Sequence, residues 1–139
     1  MRVFLDTNVL ASGIAARGLC AELLERAMSE HELLICEPVL RELRRVLSGK
    51  VHLPQPLIQE FIDLLTTEGQ VVSTPETPTI DFQDASDIPI MACAVAGNAD
   101  VFITGDKALL ELGSIESVPI LSPRQLWERL AGLKEGRTK

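Results

Sequence analysis

The feature that most constrains the fold is an alternation of short apolar runs with longer segments of helical periodicity. The short runs are ended by polar residues or glycine and therefore indicate buried strands. Short strands that alternate with helices predict a parallel sheet covered by helices on both faces. We therefore expect an α/β fold, a three-layer α/β/α sandwich around a central, mainly parallel sheet of about five strands. The predicted strands cover 2–5, 33–36, 71–72, 101–104 and 118–121.

Between these strands, apolar residues recur at the three- and four-residue spacing of amphipathic helices. The longest connection, 73–86, is rich in Ser, Thr and Pro and predicts a loop inside one domain. A chain of 139 residues fits a single core. We expect one domain over 1–133 and a polar tail over 134–139. The first predicted helix follows residue 8, and the next three cover 20–29, 39–49 and 57–65. Two more begin at 86–87 and near 109, and the last covers 123–133.

Composition and charge narrow the class of protein. An apolar fraction of 46% with 24% charged residues is ordinary for a globular protein and argues against disorder. The longest apolar run, 88–97, is much shorter than the roughly 20 residues of a membrane helix. The N-terminus shows no signal-like pattern, so we expect a cytoplasmic protein without membrane contact. The net charge of −7 opposes passive binding to nucleic acid, so a polyanionic substrate requires added positive charge.

The cysteines are odd in number and widely spaced. They stand at 20, 36 and 93 and form no C-x-x-C pair. This pattern predicts reduced, packed thiols in place of disulfides, zinc ligands or nucleophiles.

Acidic residues follow the strands at the places where a parallel sheet binds ligands. Asp6 ends the first strand, Asp106 follows the fourth, and Asp87 begins the helix that leads into the fourth. Each one alone is explained at least as well by helix capping, which favours Asp. Their convergence at one edge of the sheet is not required by capping, and the ligand crevice of an open α/β sheet lies at that edge. The set therefore indicates a site.

Glu42 adds a helix-face argument to the same site. With Val39 at zero and about 100° per residue, the apolar face of the 39–49 helix centres near about 40°, and Glu42 falls near about −60°. Glu42 thus borders the core, whereas Glu37, near about 160°, points to solvent. A solvated flank residue remains the alternative for Glu42 alone.

Clustered carboxylates without His or Cys favour hard cations, Mg²⁺ or Mn²⁺, which prefer oxygen ligands. Such ions relieve the mutual repulsion of the acids, polarise a phosphate and lower the pKa of a bound water. The predicted chemistry is hydrolysis of a phosphodiester.

The same segments resemble a known family. The stretch Val-Phe-Leu-Asp-Thr-Asn-Val-Leu at 3–10, Pro-Val-Leu-Arg-Glu-Leu at 38–43, Asp-Ile-Pro-Ile-Met-Ala at 87–92 and Ile-Thr-Gly-Asp at 103–106 are similar, in order and spacing, to the successive motifs of PIN domains. The resemblance spans 3–121. It implies a metal-dependent ribonuclease fold with an acidic quartet supported by Thr7, Asn8 and Thr104. The implied quartet is Asp6, Glu42, Asp87 and Asp106.

Small single-domain PIN proteins of prokaryotes are usually toxins of toxin–antitoxin pairs, of the VapC type and its relatives. The resemblance therefore implies an RNA substrate, an antitoxin partner that covers the site, and a homodimer or higher assembly. Asp84 competes with Asp87 as the third acid, although Asp87 directly precedes the apolar Ile-x-Ile-Met-Ala pattern. Asp84 is otherwise a supporting residue or a cap.

Other functions remain open at this stage. One alternative is a catalytically silent PIN-fold module that binds RNA or protein, and another is a DNA-directed nuclease. Four basic residues are candidates for RNA phosphate contacts, although exposed basic residues on helices usually form only a solvated surface: Arg17, Arg44, Arg45 and Lys50. The apolar stripe at 57–65 predicts core or dimer surface.

Overall fold

The computed structural model describes residues 1–75, 80, 82 and 85–138, including the side chains of all of these except 86 and 133–138. Strands and helices alternate along the chain as the sequence predicts. The elements are β1 (Arg2–Leu5), α1 (Thr7–Ala15), α2 (Leu19–Glu30), β2 (Glu32–Ile35), α3 (Glu37–Gly49), α4 (Gln55–Glu68), β3 (Gln70–Val71), α5 (Ile88–Ala96), β4 (Val101–Ile103), α6 (Lys107–Leu112), β5 (Ser114–Ile115), β6 (Val118–Leu121) and α7 (Pro123–Thr138), with a 3-10 turn at Ala85–Asp87.

The six strands form one sheet in the order β3-β2-β1-β4-β6-β5. All neighbours pair in parallel except β5 and β6. Strand β1 lies in the middle, with Phe4 opposite Leu34 of β2 on one side and Phe102 of β4 on the other. The predicted α/β sandwich with a mainly parallel sheet is therefore confirmed.

Apart from shifts of one to three residues at the ends of several elements, two features differ from those that the sequence predicts. Strand β5 is an additional strand, and it returns to β6 through a turn at which Glu116 has φ 52°. Ser114–Ile115 contains a single apolar residue and so no apolar run that would indicate a strand, unlike the Val-Val pair at 71–72. Helix α7 continues to Thr138, past the predicted end at Leu133. Its last residues are polar but include good helix formers, and polarity by itself does not end a helix.

The core lies on the central strands. The rings of Phe4 and Phe102 are fully buried and stack with their centroids 5.2 Å apart. Helix α3 buries Val39, Leu40, Leu43 and Leu47, the face that the helical spacing predicts. This packing fixes the rotation of α3 about its axis and so decides where its polar residues lie.

Helix α4 turns its apolar stripe mostly into the core. Ile58, Ile62 and Leu65 are buried, while Leu64 remains 43% exposed. Across the part of the chain that the structure describes, no helix is both long and apolar enough to span a membrane.

Candidate functional site

The carboxyl ends of β1 and β4 bring polar residues from distant parts of the chain together. The two strands are parallel neighbours, so the residues that follow them lie at the same edge of the sheet. Asp6 follows β1, and its N–H donates to the carbonyl oxygen of Ile103 at 2.9 Å. Thr104 follows β4, and its N–H donates to the carbonyl oxygen of Leu121 on β6 at 3.0 Å. The sheet ladder therefore continues to the first residues of the candidate site.

Asp6, Thr104 and Asp106 form a hydrogen-bonded chain. The Thr104 hydroxyl donates to Oδ2 of Asp6 at 2.8 Å and accepts from the N–H of Asp106 at 3.0 Å. The other carboxylate oxygen of Asp6 accepts from the N–H of Thr7 at 2.8 Å. Thr104 is fully buried and Asp6 is 7% exposed, whereas Asp106 is exposed. One hydroxyl thus sets the spacing of two of the predicted acids.

Both Asp6 and Asp106 also cap helices, as the alternative explanation for single acids requires. Asp6 is the N-cap of α1, and Asp106 is the N-cap of α6, where its Oδ1 accepts from the N–H of Leu109 at 3.2 Å. Capping and proximity are compatible, because the two helices begin at the same sheet edge. The structure therefore supports both explanations for these two residues.

The electrostatics of Asp6 show that other acids lie near it. Burial raises the pKa of Asp6 above 3.8, because the charged form loses hydration. The hydrogen bonds from Thr104 and Thr7 favour the charged form and lower the pKa, whereas the negative charges of Glu42 and Asp106 raise it further. The net shift is upward. A buried carboxylate with two acidic neighbours is a common arrangement in functional sites.

Glu42 reaches this site from α3. It is half-buried, one residue before the fully buried Leu43, and its charge acts on Asp6. This agrees with the predicted position of Glu42 at the border of the apolar face. Glu37, at the start of the same helix, is exposed as predicted.

Helix α5 runs from the carboxyl edge of the sheet toward its amino edge. At the end of the helix, the carbonyl oxygen of Gly97 accepts from the Arg2 guanidinium, at the start of β1. One turn earlier, the Cys93 thiol is hydrogen-bonded to the Cys36 thiol, and this contact raises the pKa of Cys36. Cys36 directly follows β2. The beginning of α5, at Asp87, therefore points toward the carboxyl edge.

The third acid remains a prediction. Asp87 is half-buried at the N-cap of α5 and makes an interaction of its own. Asp84 lies outside the described residues. The sequence-based preference for Asp87 over Asp84 is therefore still untested.

The two polar residues after Asp6 occupy different environments. Asn8 is exposed on the first turn of α1. Thr7 is fully buried, and among the described residues its hydroxyl has no hydrogen-bond partner. An unpartnered buried hydroxyl is unusual, because it costs free energy that a partner would recover. The Thr7 hydroxyl therefore lies beside Asp6 as a polar group that can still form a hydrogen bond with an oxygen-rich ligand.

The donor set of the site fits Mg²⁺ or Mn²⁺ better than a softer metal, since it consists of carboxylate and hydroxyl oxygens. Among the residues that the structure describes, no three His, Cys, Asp or Glu side chains are close enough to form a metal cage. Mg²⁺ does not need such a cage, because proteins usually hold it through one or two carboxylates and leave several waters in place. Asp6 and Asp106 are the residues best placed for this role.

The cysteines behave as packed thiols. Cys36 and Cys93 are buried, Cys20 is half-buried, and all three are free. The thiol of Cys93 also contacts the Thr74 hydroxyl at 3.4 Å. This contact and the Cys36–Cys93 pair join α3, α5 and the segment after β3 beneath the acidic edge.

Comparisons with known proteins agree with this fold. A model of the PIN domain matches residues 2–108, which include Asp6, Glu42, Asp87 and Asp106. This match covers most of the chain, and the chain therefore belongs to the PIN-domain family. A search of curated protein sequences found no significant match.

Two solved structures share the fold. The VapBC2 structure from Rickettsia felis, bound to a DNA fragment from its promoter, contains a chain with a TM-score of 0.64 and 18% identity, and the alignment covers 88% of this chain and 98% of that one. A chain of VapBC-1 from nontypeable Haemophilus influenzae gives a TM-score of 0.62 and 19% identity, with 89% and 99% covered. At these identities the likeness establishes the architecture alone.

The raised pKa of Asp6 predicts a pH-dependent stability of the metal-free protein. A carboxyl with a folded pKa above its unfolded value binds more protons in the folded state, so stability is lost as the pH rises from about 3.8 through the raised pKa. Asp6→Asn cannot ionise and lacks this loss. We expect the unfolding free energy of Asp6→Asn, relative to wild type, to increase across that window in urea titrations with EDTA. Asp63→Asn, which alters an exposed side chain of α4, is the control, and a pH-independent difference for Asp6→Asn would contradict the account.

Proposed function

We propose that this protein is a Mg²⁺- or Mn²⁺-dependent endoribonuclease that hydrolyses RNA phosphodiester bonds. One observation carries the proposal: in a PIN-domain chain, a buried carboxylate, Asp6, has the charges of Glu42 and Asp106 acting on it. Folding draws these like charges together at an electrostatic cost, and helix capping explains only two of the three residues. A divalent cation offsets the cost and gives the cluster a function.

The chain's own residues have distinct roles in this proposal. Asp6 and Asp106 hold the ion, and the Thr104 hydroxyl orients them through its bonds to Oδ2 of Asp6 and to the N–H of Asp106. Glu42 and Asp87 complete the acidic quartet from α3 and α5, and orient the attacking water or accept its proton. When bound, Mg²⁺ or Mn²⁺ supplies positive charge to the scissile phosphate and a water of lowered pKa.

Thr7 and Asn8 act as polar support. The Thr7 hydroxyl, which has no partner among the described residues, can donate a hydrogen bond to a ligand beside Asp6. Asn8 is exposed, so a single-stranded substrate can contact it. Asp84 is the competing candidate for the position of Asp87. A cytoplasmic location is part of the same proposal, because the RNA of a prokaryote is made there.

Glu42 and Glu37 provide a matched test on one helix. We expect Glu42→Gln and Asp6→Asn to reduce metal-dependent cleavage of a single-stranded RNA by at least about 100-fold, because each removes charge that the transition state uses. Glu37→Gln removes the same charge from the exposed start of α3 and should retain wild-type activity. The measurement is initial cleavage rate with Mn²⁺ or Mg²⁺, with EDTA as the blank.

Four results would overturn the proposal in different ways. Equal cleavage by wild type and Asp6→Ala, or none with any divalent ion, would exclude the ribonuclease. Faster cleavage of DNA than of RNA would indicate a DNA-directed nuclease. An absence of Mn²⁺ binding in calorimetry would indicate a silent binding module of the same fold.

We further propose that the protein is the toxin of a toxin–antitoxin pair. The support is the fold shared with chains of two VapBC structures, one of them bound to a DNA fragment from its promoter. A homodimer or higher assembly is also proposed, on the resemblance to PIN-domain toxins. The expected partner is an antitoxin, a short protein that binds DNA and covers the acidic site.

Growth of a bacterial host tests the toxin role. Induced wild type should arrest growth, and Asp6→Asn should not, because the arrest depends on the same site as cleavage. Co-expression of a short DNA-binding protein encoded beside the gene should restore growth and co-purify with the chain. Arrest by Asp6→Asn equal to that by wild type would contradict the toxin role.

A further inference from the structure

Two observations fix which side of α3 faces the acidic site. On one side, Glu42 acts electrostatically on Asp6. On the other, the Arg44 guanidinium donates to Oε1 of Gln59 on α4 at 2.9 Å. At about 100° per residue, Glu42 and Arg44 lie about 160° apart around the helix, which agrees with the electrostatic effect of Glu42 on Asp6 and with the contact of Arg44 with α4. Arg44 therefore points away from the site, toward α4.

Two other arginines of α3 lie four residues apart, between the directions of Glu42 and Arg44. By the same helical angle, Arg45 is about 60° from Glu42, and Arg41 is about 40° from Arg45, about 100° from Glu42 and about 60° from Arg44. Arg45 is also three residues from Glu42, the spacing at which side chains of neighbouring turns lie side by side. Both arginines are exposed. They extend the site along the outer surface of α3, on the side away from the core.

Arg41 and Arg45 form no ion pair with the described residues. The pair has the four-residue spacing at which like charges repel on a helix. None of the ion pairs formed among the described residues includes either side chain. In a chain of net charge −7, Arg41 and Arg45 are two exposed positive charges on the helix that carries Glu42. Guanidinium groups bind phosphate with paired hydrogen bonds, so an anion is the matching ligand.

We propose that Arg41 and Arg45 form a phosphate-binding pair that holds the RNA backbone next to the acidic site. This rests on the proposed ribonuclease function and names residues that deliver its substrate. The pair supplies the positive charge that binding of a polyanion requires in an acidic protein. Of the basic residues that the sequence indicates as candidates, Arg45 belongs to the pair and Arg44 does not. Arg41 was not among those candidates.

Arg44 provides the matched control, because it carries the same charge on the same helix. We expect Arg41→Gln and Arg45→Gln each to weaken binding of a single-stranded RNA oligonucleotide about tenfold. The slope of log K against log salt should decrease in magnitude by about 0.7 for each arginine removed. Arg45→Lys should keep the slope and recover part of the affinity, since it keeps the charge but loses the paired geometry. Arg44→Gln should match wild type in both.

Binding is measured by fluorescence anisotropy in EDTA. Cleavage is measured in parallel with Mn²⁺, and there Arg41→Gln and Arg45→Gln should raise KM and leave kcat nearly unchanged. Weakening by Arg44→Gln equal to that by Arg45→Gln, or an unchanged salt slope in Arg41→Gln and Arg45→Gln, overturns the phosphate-binding pair even if wild type cleaves RNA. A wild type that binds RNA through this pair but does not cleave it overturns the ribonuclease and leaves the pair standing. Circular dichroism of each variant controls for folding.

Discussion

The arrangement of the site depends on the hydrogen bond from the Thr104 hydroxyl to the buried carboxylate of Asp6. It joins the ends of two neighbouring parallel strands that are far apart in the sequence. The same hydroxyl accepts from the N–H of Asp106, so the register of β1 against β4 determines how two acids are spaced. The stacked Phe4 and Phe102 rings lie in these same two strands and fix that register from within the core.

This hydrogen bond works against the electrostatics of the site. Desolvation and the charges of Glu42 and Asp106 favour a protonated Asp6, and the bonds from Thr104 and Thr7 only partly oppose them. A protein that needed only helix caps could have placed Asn or Ser at these positions, since both cap helices as well as Asp does. The accumulation of negative charge at a ligand-binding edge is the physical reason for assigning a cation to the site. In our proposal, the same excess of negative charge is the reason that RNA binding draws on the positive charges of Arg41 and Arg45.

Most of the fold follows from hydrophobic periodicity. The strands and the long helices were predictable because each buries a regular set of apolar residues, and the position of Glu42 followed from the apolar face of α3. The site was predictable to the extent that acids end parallel strands, which places Asp6 and Asp106 at one edge. Strand β5 was not predictable, because Ser114–Ile115 contains no apolar run. The orientation of Arg44 was not predictable either, since its hydrogen bond to Gln59 depends on how α4 packs against α3.

The position of the third acid of the quartet, Asp87 or Asp84, is the least determined part of the site. Asp87 begins α5, whose end is fixed by the Arg2 contacts at the opposite edge of the sheet, so its position depends on the whole length of that helix.

The most direct measurement of the central claim is the anomalous diffraction of crystals soaked in Mn²⁺. The account predicts a manganese peak within coordination distance of the carboxylates of Asp6 and Asp106, with Glu42 beside it and either Asp87 or Asp84 as the third acid. Manganese bound elsewhere, or no peak at this edge of the sheet, would contradict it.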